Sequence, residues 1–60
     1  MTQPDFTAAL EQELQLRGVA FSRADLLAFV ASAWPLIEDD PGVMFWAREF
    51  LETGHATLTA

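Results

Sequence analysis

The residues with most chemistry to offer stand together at Glu38-Asp39-Asp40, with Glu49 eleven positions beyond Glu38. Three consecutive carboxylates invite comparison with a calcium loop, which needs oxygen ligands at positions 1, 3, 5 and 12 and glycine at 6. Counted from Glu38, Asp40 is third and Glu49 twelfth, but Gly42 falls fifth and Val43, Met44, Phe45 and Trp46 fill the next four places. An apolar run opened by Pro41 reads instead as the start of a helix. Asp39 or Asp40 is expected to cap it, with Pro41 in its first position and acidic charge against the positive end of the helix dipole. No metal site is expected.

The other reactive groups are scattered. His55, the single histidine, lies in the tail and has no nucleophile placed beside it. Ser22 is occupied as a helix cap and Ser32 lies within a helix, so the third, orienting member of a triad is missing as well. Glu11 with Glu13, or Glu49 with Glu52, are paired carboxylates in sequence. Acid–base work needs such pairs in a cleft that drives their pKa values apart, and a bundle this small has little room for one. Gly18, Gly42 and Gly54 are isolated, so no phosphate-cradling loop is present. The Asp-Ser-Leu attachment motif of acyl carrier proteins is absent too. No catalytic residue and no cofactor is expected.

Three helices would have to position whatever function exists. Thr2 and Asp5 form a capping-box-like start with Pro4 in the first turn. Phe6, Leu10 and Leu14 follow at helical period, Glu13 and Arg17 form a favourable i,i+4 pair, and Gly18 supplies a left-handed stop. The first helix is predicted over 3–17. Val19-Ala20-Phe21 reads as a connection. Ser22 and Asp25 make a second capping box, with Phe21 and Leu26 as its hydrophobic staple.

The second helix, 22–38, carries no charge between Asp25 and Glu38 and is predicted to be central and buried by its neighbours. Its large side chains, Leu26, Leu27, Val30, Trp34 and Ile37, fall on one broad side, with Phe29 and Leu36 extending it. Ala24, Ala28, Ala31 and Pro35 form a separate small-residue strip that suits close approach of the first helix or of a second copy. Pro35 removes a backbone bond to Ala31 and disfavours helical geometry at Trp34, which favours a kinked or broken helix. The third helix is predicted over 41–53, with Val43, Met44, Trp46, Ala47, Phe50 and Leu51 on one side. Phe45 falls on the other, among Arg48, Glu49 and Glu52. Residues 54–60 show no period and are expected to fray. The fold class is therefore all-α, a compact three-helix bundle in a single domain.

Sixty residues bury only about 60% of their unfolded surface, and without cysteine no disulfide or thiolate metal site can compensate. The chain is 52% apolar, more than a core of this size hides, so self-association through an apolar helix face is expected, a homodimer being the simplest form. Phe45, Trp46 and Leu16, with Ala24, Ala28 and Ala31, are the candidate interaction residues. The formal charge of −6 repels phosphate backbones and anionic lipids. The same charge argues against a helix-turn-helix reader, since the third helix sets Arg48 against Glu49 and Glu52.

The apolar run 26–37 is too short for a membrane helix, which takes about 20 residues. No basic N-terminal segment precedes an apolar run, so no signal peptide is expected and the default is cytoplasmic. Ten alanines with no lysine or asparagine resemble the bias of a GC-rich bacterial genome. The expected function is non-catalytic, through protein contacts. The alternatives are an acidic decoy for a basic site on a partner, or a carrier of a small apolar ligand.

Overall fold

The computed structural model describes residues 2–54 and 56–58, without the side chain of Leu58. It is the expected three-helix all-α bundle: α1 (Gln3–Leu16), α2 (Arg23–Asp39) and α3 (Val43–Glu52). A two-stranded ribbon is added to it, β1 (Val19–Phe21) with β2 (Ala56–Leu58).

α1 starts as its sequence dictates. The Thr2 hydroxyl oxygen accepts from the Asp5 amide at 3.3 Å, Pro4 occupies the first turn, and Arg17 Nε donates to Glu13 Oε2 at 2.7 Å. Gly18 stops the helix with φ 70°, the left-handed region where only glycine pays no steric penalty. The chain then enters β1.

The ribbon departs from the sequence reading on both sides. Val19-Ala20-Phe21 is a strand rather than a bare connection, and Ala56–Leu58 pairs with it antiparallel, Val19 opposite Leu58 and Phe21 opposite Ala56. Part of the segment expected to fray therefore has regular structure; His55 and residues 59–60 lie outside the described residues. Three-residue strands are too short to show a period of two, and the pairing joins distant parts of the chain. Gly54, at φ 84°, makes the second left-handed turn, which brings β2 back. Val19 is buried and Phe21 packs against the core.

α2 begins after Ser22 as expected, although the Ser22 hydroxyl makes no capping bond. It continues through Pro35 to Asp39 without a break. Ala31 and Pro35 are both exposed, so the missing backbone bond lies on the solvent side of the helix, where water can serve the carbonyl. α3 starts two residues later than the sequence suggests, with Gly42 as its N-cap, and neither Asp39 nor Asp40 caps it. Asp40 ends α2 instead, and its carbonyl accepts both the Gly42 amide at 2.9 Å and the Trp46 indole N–H at 2.8 Å. That shared acceptor makes the tight corner between α2 and α3.

The centre of the bundle is α1, not α2. Both other helices pack chiefly on α1 and touch each other less. Phe6, Leu10 and Leu14 of α1 are fully buried against Leu26, Val30 and Ile37 of α2 and Ala47 and Phe50 of α3. Phe6 meets Trp34 edge-on at 6.1 Å. A run of edge-to-face contacts links Phe21 to Phe50, Phe50 to Phe29, and Phe29 to Trp46. Such pairs add about 0.5–1.5 kcal/mol each beyond buried area.

Candidate functional site

Among the described residues, geometry does not gather the reactive groups. Among the described residues no three acidic or histidine side chains converge to hold a metal ion. Glu38, Asp39 and Asp40 are all exposed, at the corner where α2 ends. Thr7, the buried hydroxyl, donates to the Gln3 carbonyl one turn back at 2.8 Å. That bond satisfies it within its own helix. An open groove of about 320 Å³ runs between α1 and α2, lined by Gln3, Pro4, Thr7, Ala8, Glu11, Arg23 and Leu27. Thr7 and Glu11 both line it, but the Thr7 hydroxyl is given to the Gln3 carbonyl and not to the Glu11 carboxylate. No helix among the described residues is long and apolar enough to cross a membrane.

What the fold does leave at the surface is apolar. Leu16 is 77% exposed, Met44 69%, Leu36 65% and Phe45 53%, and Leu27 is close to half exposed. Leu27, Leu36 and Met44 were expected on buried sides. The helices of a bundle with α1 at its centre present only a narrow inner stripe, so side chains at the flanks of those broad arcs stay outside. Ala24, Ala28 and Ala31 are all exposed, on the outer face of α2, and neither α1 nor α3 covers them.

Trp46 departs from the other candidates. It is only 8% exposed, its indole tied to Asp40 and its ring set between Phe29 and Phe45, so it belongs to the core and offers no surface. Phe45 lies outside, with Arg48, Glu49 and Glu52 beside it on α3; its ring stands edge-on to Trp46 at 5.0 Å. Contact with the Leu58 side chain falls outside the described residues.

The outer face of α2 has a specific order. Arg23, Leu27, Ala31 and Glu38 are spaced by four, four and seven residues and so follow one stripe along the helix. Ala24, Ala28 and Pro35 lie beside it. The stripe is positive at its start, negative at its end, and uncharged between. No signal for this exposure exists in the sequence beyond the small-residue strip itself, because the period marks α2 as apolar without saying which arc its neighbours reach. No protein-family model, curated protein or solved structure matches this chain.

Proposed function

We propose that this protein is a non-catalytic interaction module that self-associates, as a homodimer, through the outer face of α2. The observation that carries the reading is the uncovered apolar stripe, which has small residues at its middle and opposite charges at its ends. In a two-fold pair each patch must match itself. An antiparallel copy laid along the stripe sets Arg23 of one chain opposite Glu38 of the other at both ends. Ala31 then lies near the two-fold axis, where its small side chain permits close approach of the backbones. The groove beside Leu27 widens the same face onto Pro4 and Ala8 of α1. A specific interface takes about 800 Å² per partner, about a fifth of the 3841 Å² surface of this chain. The setting we propose for such a pair is the cytoplasm.

Light scattering over a wide concentration range tests the proposal. The expected result is a dimer mass that persists at high salt and that Ala28→Glu converts to monomer with helical circular dichroism unchanged. Arg23→Glu should weaken the dimer about two- to thirtyfold, since two exposed ion pairs are lost, one at each end, and adding Glu38→Arg should restore it. A monomer at every concentration overturns the reading.

A further inference from the structure

The corner between α2 and α3 carries a second apolar surface of different electrical character. Phe45 and Met44 are exposed at the start of α3, and Leu36 is exposed in the last turn of α2. The charges around them are negative. Glu38, Asp39 and Asp40 precede α3 and are exposed, and Glu49 sits one turn beyond Phe45. Arg48, the nearby cation, is engaged by Glu52 at 3.7 Å.

Gly42 stands between the acid and the aromatic residue. The Phe45 Cβ and the Asp40 Oδ1 lie 3.7 and 3.8 Å from where a side chain on Gly42 would begin, so both border the space that glycine leaves open. The ring is also held in place: it stands against Trp46, and Trp46 is anchored by its bond to the Asp40 carbonyl. An exposed aromatic side chain on a corner that also carries carboxylates suits an ammonium or guanidinium group, which gains from the ring and from the charge together. A surface whose unpaired charge is all negative repels its own copy, which separates this corner from the α2 stripe.

We infer that the α2–α3 corner docks a basic, amphipathic polypeptide segment. Its apolar side chains lie on Phe45 and Met44, and its cations lie against Asp39, Asp40 and Glu49. This surface does not use the outer face of α2, so it holds whether or not the protein self-associates.

The test titrates isotopically labelled protein with a synthetic amphipathic leucine–lysine helix. The control is a peptide of the same composition, scrambled to remove the apolar stripe. The expected result is amide shifts confined to 36–49, binding that weakens at high salt, and a preference for the amphipathic peptide. Phe45→Ala should weaken binding about tenfold, as loss of an aromatic anchor does. Asp39→Asn with Asp40→Asn should weaken it as well; these exposed positions leave the helical signal intact. Equal binding of the scrambled peptide, an unchanged affinity in Phe45→Ala, shifts centred on 24–35, or no binding would each overturn the inference.

Discussion

α1 and α2 exchange the roles that their compositions suggest. α2 is the more apolar helix, uncharged from Leu26 to Ile37, yet it lies at the side of the bundle with Ala24, Leu27, Ala28, Ala31 and Leu36 outside. α1 carries Asp5, Glu11, Glu13 and three glutamines, yet Phe6, Leu10 and Leu14 are fully buried and both other helices pack on it. The difference teaches that a narrow stripe of large side chains recruits neighbours on two sides. An apolar circumference built partly of alanine does not, because alanine has little area to gain by burial. What α2 carries in excess stays exposed.

The sharpest way to break this comparison is at Leu10. Leu10→Ala should cost about 2–5 kcal/mol, a large share of the roughly 3–9 kcal/mol that a chain this short commands. Leu36→Ala should stay within about 0.5 kcal/mol. Urea midpoints read both, and equal losses would mean that α2 is as central as α1. Pro35→Ala comes next in size. It should raise stability, by up to about 3 kcal/mol, because the helix already runs through this position and regains a backbone donor. A loss on thermal melting would show that the proline is needed to shape the outer face. At the corner, Trp46→Phe keeps an aromatic ring but removes the bond to the Asp40 carbonyl and part of the buried indole, costing at least about 1 kcal/mol. No change in the denaturation midpoint would show that the corner is held by packing alone.

Much of the fold was legible locally. The Thr2 cap, the Glu13–Arg17 pair, the stop at Gly18 and the start of α2 after Ser22 each depend on residues within one helical turn, where chemistry and geometry coincide. The start of α3 was not, since Asp40 had two roles open to it. In the structure Asp40 ends α2, and its carbonyl accepts the Trp46 indole N–H from the next helix. Of the candidate surface, Phe45 could be read from its position among charged residues of α3, whereas the alanine strip suited either the first helix or a second copy, and the structure leaves Ala24, Ala28 and Ala31 exposed. Trp46 could not be placed, because a period locates a face but not how far the neighbouring helix reaches round it.

By itself, then, the sequence determined the number of helices, most of their ends, the absence of disulfides and an acidic surface with more apolar residues than a small core needs. These follow from local propensity and composition. Only the tertiary structure decided that α1 is the centre, that Val19–Phe21 and Ala56–Leu58 form a ribbon, and which apolar side chains stay outside. Those outcomes depend on pairings between distant segments, and each is settled by which element reaches a given face first.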